Sequence, residues 1–583
     1  MRFRTGLMVA LVAIVLGGCF ASGASSPARD LPTAGFGDRA SAEAPNIVLV
    51  LMDDFSLELL QTMPTAARMM QEGASYPNAY VEDSLCCVSR ASIFTGQYPY
   101  QHGVFTNTSN LPNPLGPIGG WPAFLANGDD ERSINVRLQE AGYTTGFIGK
   151  YLNQYEYDPR TGEFPSVPQG WSDFRVIFGG GYQGWNYAST HVDDGVVKLQ
   201  LHPAPPDDAP PWIKDRAYVG TFTQAQALDF IGAHEDDDSP YFLEVSTYAP
   251  HPRVQKYGTY PDDPMFPAAF QDRPHAGLPD GNCGLVACSD LTIADLPGFN
   301  DPREDNAPDY TDGTPAPAWR VNKVTLTRRE AVNGLRNRAR VVQSVDRMLA
   351  RIMDSVDPNT YIVLTSDNGF HLGQHQLDRG KGTPYDSDVH VPMLIVGPDV
   401  TPGDRAEVAM NIDLAPTFED LAGLTPEPYR TGISLVPSLD DPTRHRRTYA
   451  FFEHTWARAA PVAGPPVPGG NADPDGGYGA GTLGTIPSYI AVRGPSGLLV
   501  RLDLDNSWDG VETAWEFYDY TDLGWEKTNS YDDPTKLAEI TRLKAALARF
   551  DECAAPYRDG APRDQAVPES CREIRALGLP RNS

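Results

Sequence analysis

The sequence predicts an α/β protein: a large mixed but mostly parallel sheet sandwiched by helices, followed by a small C-terminal α+β domain. Two observations predict the large sheet. Continuous apolar runs such as NIVLVLM and TYIVLTS end in aspartates, as strands buried on both faces do. Segments with helical spacing separate these runs, and strands that alternate with helices form a sheet covered on both sides.

The predicted strands of this sheet end in polar residues. The run PNIVLVLMDD ends at Asp54, and NTYIVLTSDNG contains Asp367. Two further predicted strands run out to Lys150 and to His251. Because ligands of open α/β sheets bind beyond the carboxyl ends of the strands, these polar ends mark the expected site.

Helices are predicted between the strands. The segment SLELLQTMPTAARMMQEG follows the first strand as a helix that Gly73 ends. A longer amphipathic helix precedes the strand of Asp367, because apolar residues recur there at steps of three and four. Its stripe consists of Val332, Leu335, Ala339, Val342, Val345, Leu349 and Ile352.

The C-terminal domain is predicted from a change of composition near residue 440. A Gly/Pro-rich loop over 460–486 precedes three strand-like runs, SYIAVRG, GLLVRLDL and WEFYDYTD. A last helix carries the apolar stripe Leu537, Ile540, Leu543, Leu547 and Phe550. We therefore expect a catalytic domain over 45–440 and a C-terminal α+β domain over 441–583, with an antiparallel sheet and one packing helix.

The net charge of −29 at pH 7 excludes some classes of partner. It argues against nucleic acid and anionic membrane surfaces, because both repel an acidic protein. It does not exclude a small anionic substrate, since charges more than about 8 Å away are screened at physiological salt.

Residues 1–44 read as an export signal and a flexible tether. Arg2 and Arg4 precede an apolar run that is too short to span a bilayer comfortably and ends in Gly-Gly-Cys. The LGGC sequence resembles a bacterial lipobox, which would make Cys19 a lipidated residue; a plain signal peptide and an uncleaved anchor are the alternatives. We expect an exported bacterial protein, either a cell-surface lipoprotein or a secreted or periplasmic one, that meets a membrane only through a lipid anchor.

The seven cysteines sort unevenly. In an oxidising compartment, the close pair Cys283 and Cys288 and the pair Cys553 and Cys571 are candidate disulfides. This leaves the adjacent cysteines of SLCCVSRASIFTG, Cys86 and Cys87, which cannot easily bridge each other because a disulfide between neighbours is strained.

Four oxygen donors at two strand ends suggest a metal site: Asp53, Asp54, Asp367 and Asn368. A hard cation such as Ca²⁺ or Mg²⁺ prefers such donors, whereas zinc prefers nitrogen or sulfur. The alternative is that these residues are ordinary polar strand exits.

Three cations and a histidine suit an anionic substrate. Arg90 lies one helical turn after Cys86, and Lys150 and Lys381 each lie among glycines. Together they can hold a tetrahedral oxyanion, and His251 can exchange a proton near neutral pH. The alternatives are solvated surface charges and a structural histidine.

Seven motifs in a fixed order identify a family resemblance: PNIVLVLMDD, CCVSRASIFTG, GYTTGFIGKYLNQY, YAPHPR, TYIVLTSDNGFHLGQH, GKGTPY with HVPMLIVGP, and IDLAPTFEDLAGL. From Pro45 to its C-terminus, the chain resembles the type I sulfatases of the alkaline-phosphatase superfamily. LCCVSR, GKYLNQY and NGFHLGQH are most similar to the N-acetylglucosamine-6-sulfatase branch, which includes the extracellular heparan endosulfatases.

The resemblance implies a role for each motif residue. Cys86 would be oxidised to Cα-formylglycine by a formylglycine-generating enzyme, and a hydroxyl of the hydrated aldehyde would attack the sulfur of a sulfate ester. Asp53, Asp54, Asp367 and Asn368 match the Ca²⁺ ligands, with residue 86 completing the set. Arg90 would hold the diol, Lys150 and Lys381 the sulfate oxygens, and His251 would protonate the leaving alcohol or handle the diol's proton.

Two departures from the family pattern bear on function. Val88 stands where the modifying enzyme usually meets Pro or Ala. Lys150 is followed by Tyr-Leu-Asn rather than Trp-His, a mark of the glucosamine-6-sulfatase branch that makes Asn153 a candidate substrate contact. His371 and His375 are further candidates.

The sequence thus predicts a Ca²⁺-dependent sulfatase, with Mg²⁺ the second choice of cation. Its expected substrates are small sulfated saccharides or aryl sulfates, since the chain lacks the basic extension of an enzyme that follows heparin-like polymers. A phosphodiester or phosphonate hydrolase of the same superfamily is one alternative. Another is a catalytically silent glycan-binding surface protein, should Cys86 stay unmodified.

Overall fold

The computed structural model describes most of the chain, namely residues 44–109, 117–193, 196–252, 259–260, 267–302, 305, 307–319, 326–455, 486–506, 511–521 and 525–579. The predicted export signal with Cys19, and nearly all of the Gly/Pro-rich loop, lie outside these residues. Among the residues described, no helix is both long and apolar enough to cross a membrane.

Nineteen strands occur in the described residues. They are β1 Asn46–Met52, β2 Ala74–Ser75, β3 Ala79–Tyr80, β4 Thr144–Gly149, β5 Asp173–Val176, β6 Tyr187–Asp193, β7 Val196–His202, β8 Tyr241–Ser246, β9 Asp309–Tyr310, β10 Thr360–Ser366, β11 His371–Leu372, β12 Arg379–Gly380, β13 Met393–Val396, β14 Gly403–Asp404, β15 Ala409–Met410, β16 Ala450–His454, β17 Ser488–Gly494, β18 Gly497–Asp503 and β19 Thr513–Asp519.

The α-helices of the described residues lie between and after these strands. They are Pro64–Glu72, Cys86–Thr95, Pro99–His102, Gly120–Ala126, Ile134–Glu140, Pro211–Arg216, Val219–His234, Arg328–Ser355, Asp386–Val389, Leu414–Leu421, Val436–Leu439, Leu537–Arg558 and Glu569–Arg575.

The main sheet has eight strands in the order β14-β2-β13-β10-β1-β8-β4-β5. The central strand β1 pairs in parallel with β10 and with β8, and β4 pairs in parallel with β8 and β5. Strand β13 runs antiparallel to both of its neighbours. The sheet is therefore mixed and mostly parallel, as the sequence predicts.

Both faces of this sheet are covered. Alternate residues of β1 belong to two different buried apolar clusters: Ile47, Leu49 and Leu51 to one, and Val48, Val50 and Met52 to the other. The long helix Arg328–Ser355 contributes its predicted apolar stripe to the second cluster, except that Ala331 is buried there in place of Val332. Burial on both faces is why β1 reads as an unbroken apolar run.

The strand register places the polar strand ends at one edge. Met52 pairs with Ser366, and Ser246 pairs with both Leu51 and Gly149. The residues that follow these strands therefore leave the sheet side by side. They include the aspartates after β1 and β10 and the lysine after β4.

The helix predicted after β1 is divided. A 3₁₀ helix, Leu57–Thr62, precedes the α-helix Pro64–Glu72, which ends at Gly73 as expected. Proline lacks a backbone N–H and favours the first position of a helix, so Pro64 begins a new one.

The C-terminal sheet is antiparallel, in the order β16-β17-β18-β19-β9. The helix Leu537–Arg558 packs with it, and a second short helix, Glu569–Arg575, follows. Leu537 is an error in the predicted stripe, because this residue is exposed at the start of the helix, whereas the other four stripe residues are buried. Strand β9 comes from before residue 440, and the domain boundary stays a prediction.

Both predicted disulfides form, between Cys283 and Cys288 and between Cys553 and Cys571. The second one joins the two C-terminal helices. Cys86 and Cys87 are buried free thiols.

Candidate active site

The candidate site lies at the carboxyl edge of the main sheet, opposite the start of the helix Cys86–Thr95, which we call the signature helix. All ten residues of this helix are buried, and Gly96 ends it in the left-handed conformation with φ 65°. Glycine suits this position because it has no Cβ to clash. The first residue of the helix, Cys86, therefore has a fixed place in the protein interior.

The two adjacent cysteines have different surroundings. The Cys86 thiol donates to Asp53 Oδ1 at 3.2 Å and lies 3.8 Å from Asp54 Oδ1. Cys87 instead belongs to the apolar cluster on one face of the sheet, and its backbone N–H donates to Asn107 Oδ1 at 2.9 Å. Cys86 thus belongs to the site and Cys87 to the core.

Four buried side chains can converge on one cation. Asp53, Asp54, Cys86 and Asp367 each offer a ligand atom, and these atoms lie within 4.8 Å of one another. Asn368 is part of the same group, since its Nδ2 donates to Asp54 Oδ1 at 2.6 Å. Its Oδ1 is buried and has no hydrogen-bond partner within the described part of the chain. Carboxylates with an amide oxygen suit a hard divalent cation.

Three cations neutralise the aspartates. The Arg90 Nε donates to Asp367 Oδ2 at 2.9 Å. Lys150 Nζ donates to both Asp53 oxygens at 2.7 Å, and Lys381 Nζ donates to Asp54 Oδ1 at 2.6 Å. Buried carboxylates this close are tolerable only with such compensation.

Arg90 also connects the carboxyl ends of β4 and β8. One of its terminal nitrogens donates to the Lys150 carbonyl at 2.8 Å and to Ser246 Oγ at 2.5 Å. Its other terminal nitrogen is buried without a hydrogen-bond partner in the described residues. The guanidinium therefore keeps a donor for a further oxygen atom.

His251 lies at the same cluster, five residues beyond the end of β8. Its Nε2 is 3.4 Å from Asp54 Oδ2, and its Nδ1 is 2.6 Å from the carbonyl oxygen of Pro252. A carbonyl only accepts, so Nδ1 carries a proton, and Nε2 faces the Asp54 carboxylate.

Burial and charge shift the pKa values of the cluster in different directions. Burial raises the pKa of Asp53, although Lys150 opposes this shift. For Asp367, burial acts to raise the pKa, but attraction to Arg90, Lys150 and Lys381 lowers it more. The pKa of Asp367 therefore lies below its usual value. For the Cys86 thiol, burial and the nearby aspartates raise the pKa well above its usual value. An unmodified Cys86 is therefore held protonated at neutral pH, and a protonated thiol is a poor nucleophile.

The other residues predicted to contact substrate are Asn153, His371 and His375. Asn153 is buried, and its Oδ1 has no hydrogen-bond partner among the residues described. His371 Nδ1 lies 2.9 Å from Asp388 Oδ1. His375 Nε2 lies 3.7 Å from Glu526 in the C-terminal region. Substrate-binding roles for Asn153 and the two histidines stay predictions.

His371 supports the loop that carries Lys381. Asp388 accepts from His371 and also from the backbone N–H and the hydroxyl of Thr383, at 3.0 and 2.6 Å. Ser84, which precedes the signature helix, donates to the Thr383 carbonyl and accepts from Gly382 N. The two residues after Lys381 are thus anchored by side chains, and Gly380 before it pairs with His371 in the β11–β12 ladder.

Sequence reasoning missed three residues near the cluster. Tyr182 packs its ring 4.5 Å from that of His251, Ser246 accepts from Arg90, and Arg338 donates to the backbone of Asp54. Of these three residues, only Arg338 stands out in the sequence, because its charge interrupts the predicted apolar stripe between Leu335 and Ala339.

Comparison with known proteins gives consistent results. The sulfatase family model matches residues 45–424. The extracellular sulfatase SULF-1 homolog of Drosophila melanogaster is 30% identical over 417 residues, which are 69% of this chain but 32% of that protein. The N-acetylglucosamine-6-sulfatase of Homo sapiens is 29% identical over 451 residues, covering 74% of this chain and 68% of that protein.

Solved structures share the fold. BT4656, solved with its substrate D-glucosamine-2-N,6-O-disulfate, has a TM-score of 0.58 at 20% identity and covers 90% of this chain and 100% of its own. The phosphonate monoester hydrolase SpPMH of Silicibacter pomeroyi has a TM-score of 0.55 at 19% identity and covers 87% and 95%. At these identities the likeness establishes the fold alone.

Proposed function

The chain belongs to the sulfatase family, and we propose that it removes sulfate from small sulfated saccharides of the glucosamine-6-sulfate type. One observation carries this proposal. Residue 86 lies between the oxygen donors of a candidate metal site and two lysines, with Asp53 Oδ1 3.2 Å and Lys381 Nζ 2.6 Å from its Sγ. A sulfate ester placed there meets a nucleophile position and positive charge together.

The donor set fits a hard cation, and we propose Ca²⁺. Asp53, Asp54, Asp367 and Asn368 would hold it with residue 86, and it would supply a Lewis acid that polarises a sulfate oxygen. A Cα-formylglycine derived from Cys86 would supply a hydrated aldehyde as nucleophile, and its oxygens suit a hard cation better than sulfur does.

The residues of this chain perform the remaining tasks. Lys150 and Lys381 place two charges where the sulfate oxygens would lie, and burial strengthens their attraction by excluding water. The terminal nitrogen of Arg90 that forms no hydrogen bond in the described residues, and lies 3.9 Å from Asp53 Oδ1, offers a donor to residue 86. His251 carries a proton for the leaving alcohol.

Two observations bear on the substrate, one on its chemical class and one on its size. The motifs GKYLNQY and NGFHLGQH match the glucosamine-6-sulfatase branch, and relatives of that name are 29% identical. The net charge of −29 favours small substrates over long polyanions.

The test is hydrolysis by the full chain, co-expressed with a formylglycine-generating enzyme. We expect sulfate release from N-acetylglucosamine-6-sulfate and 4-nitrophenyl sulfate. We expect much slower cleavage of a 4-nitrophenyl phosphonate monoester and of the phosphodiester bis(4-nitrophenyl) phosphate. Faster cleavage of the phosphorus esters would favour the phosphonate hydrolase alternative.

A matched pair of variants tests the nucleophile position. Cys86→Ala is expected to abolish turnover, whereas Cys87→Ala keeps it, because Cys87 packs in the core. Mass spectrometry of the tryptic peptide ending at Arg90 shows whether Cys86 is converted despite Val88. An unmodified Cys86 in protein from the native host would favour the silent glycan-binding alternative.

A further inference from the structure

We propose that Arg338 is a positioning residue for the metal centre: it fixes the backbone of the two loops that carry the cation's ligands. The inference rests on the proposed function, because it concerns the cation which that function requires. Arg338 itself touches neither cation nor substrate in this proposal.

Arg338 bridges the two loops directly. It lies on the long helix Arg328–Ser355 and is completely buried. One terminal nitrogen donates to the Asp54 carbonyl, and the other donates to the Phe370 carbonyl at 3.4 Å. These carbonyls belong to the loops after β1 and β10, which supply the four oxygen ligands.

The backbone at Asp54 needs such support. Asp54 has φ 59°, a left-handed conformation that residues with a Cβ adopt at a cost. Its N–H donates to Asp367 Oδ1 at 3.1 Å, and its carbonyl accepts from Arg338. The peptide groups on both sides of the strained residue are thus held, one by a metal ligand and the other by Arg338.

Two further hydrogen bonds between the loops join neutral groups. The N–H of Phe55 donates to Ser366 Oγ at 3.0 Å, and Ser56 Oγ donates to the Phe370 carbonyl at 2.7 Å. Arg338 adds charged donors to the same pair of loops, and hydrogen bonds from charged donors are stronger than neutral ones. The two contacts of one rigid, planar guanidinium also fix the distance between the loops.

The surroundings of Arg338 indicate a specific role for its charge. Arg338 forms no ion pair with a carboxylate in the described residues, and its guanidinium carbon is 4.8 Å from the centre of the Phe370 ring. A buried arginine without a close counterion is costly. The carboxylate that attracts Arg338 most strongly is Glu58, followed by the site aspartates Asp54 and Asp53.

Arg405 provides a matched control. This arginine is also completely buried, and within the described residues its hydrogen bonds go to backbone carbonyls, among them those of Ser438, Leu439 and Thr401. None of these carbonyls belongs to a loop that carries a proposed metal ligand. Loss of either arginine is expected to lower thermal stability, but only loss of Arg338 is expected to weaken metal binding.

The experiment measures Ca²⁺ binding to the purified full chain by isothermal titration calorimetry, alongside Tm. We compare wild type with Arg338→Met, Arg338→Lys and Arg405→Met. We expect at least tenfold weaker Ca²⁺ binding for Arg338→Met, which corresponds to about 1.4 kcal/mol. Arg338→Lys should show an intermediate loss, because one ammonium cannot bridge both carbonyls, and Arg405→Met should stay within twofold of wild type.

Three results would overturn the inference. They are an Arg338→Met affinity within twofold of wild type, an equal weakening by Arg405→Met, and, if Arg338→Met does not fold, an Arg338→Lys affinity equal to wild type. These results leave the proposed function intact. Absence of Ca²⁺ binding by the wild type would instead overturn the proposed metal centre, and this inference with it.

Discussion

Lys381 Nζ lies 2.6 Å from Cys86 Sγ, although 295 residues separate the two in sequence. The same nitrogen lies 2.6 Å from Asp54 Oδ1. One lysine therefore contacts both the proposed nucleophile position and a proposed metal ligand. Its charge is placed where a sulfate ester bound at residue 86 would carry its negative charge.

Loss of this charge should reduce catalysis strongly. We expect Lys381→Met to lower kcat/KM for 4-nitrophenyl sulfate by roughly 10²- to 10³-fold, the usual effect of removing one donor from a preorganised anion site. Lys198→Met, at an exposed position on β7, serves as the control and should keep wild-type activity. Retention of a third or more of the activity by Lys381→Met would refute this role.

Asp388 should control the position of Lys381. Asp388→Ala leaves the Thr383 N–H, the Thr383 hydroxyl and His371 Nδ1 without their buried acceptor, and each such loss costs about 1–3 kcal/mol. We expect a lower Tm and at least a tenfold lower kcat/KM. Asp532→Ala, in the C-terminal region, provides a comparison that removes an aspartate outside this loop. Wild-type kinetics in folded Asp388→Ala protein would show that the loop holds Lys381 without it.

Metal removal should lower stability through the acidic cluster. A cation that binds the folded protein adds about 2.7 kcal/mol to the free energy of unfolding when its free concentration is 100 times its Kd. We expect EDTA to lower the Tm by several degrees and Ca²⁺ to restore it, with Mg²⁺ less effective because it demands a stricter octahedral site. In Asp53→Asn the difference in Tm between EDTA and Ca²⁺ should be much smaller. An equal difference in both proteins would place the stabilising cation elsewhere.

Stability should fall as the pH rises from 4.5 to about 8, because of buried glutamates away from the metal cluster. Burial raises the pKa of Glu453, on β16, to about 8 from a usual value of 4.5, and that of Glu82 also to about 8. Each carboxyl keeps its proton to higher pH in the folded state. Folding therefore binds protons between the two pKa values, and each group costs roughly 1.4 kcal/mol of stability per pH unit there.

Replacement of one glutamate by its neutral analogue should reduce this pH dependence. We expect the Tm of Glu453→Gln to fall less than that of wild type between pH 5.5 and pH 8.5, measured by differential scanning fluorimetry. Glu552→Gln, at an exposed position, should follow the wild type. A Glu453→Gln curve parallel to that of wild type would show that Glu453 is charged in the folded protein.

Much of the fold could be predicted from the sequence, because its signals are local. The apolar run before Asp53 requires burial on both faces, and the helical stripe before Asp367 requires a helix on one face of the sheet. The expectation that the strand ends meet follows from parallel pairing, which the register of Met52 with Ser366 confirms. The motif order then predicted which side chains gather there.

Local sequence patterns did not predict the contacts between segments that lie far apart in the sequence. Strand β9 joins the C-terminal sheet from before residue 440, and Leu537 is exposed although it fits the helical stripe. His375 lies near Glu526, which comes from another region of the chain. Each of these outcomes depends on which distant segment packs against the residue.

The sequence by itself determined the order of the main elements, the family and the set of groups at the strand ends, since periodicity and motif spacing are properties of the chain. Only the tertiary structure decided that Cys87 packs in the core and that Arg338 donates to the carbonyl of Asp54, a residue in the left-handed conformation. The physical reason is that burial, charge compensation and backbone strain are set by neighbours brought together from hundreds of residues apart.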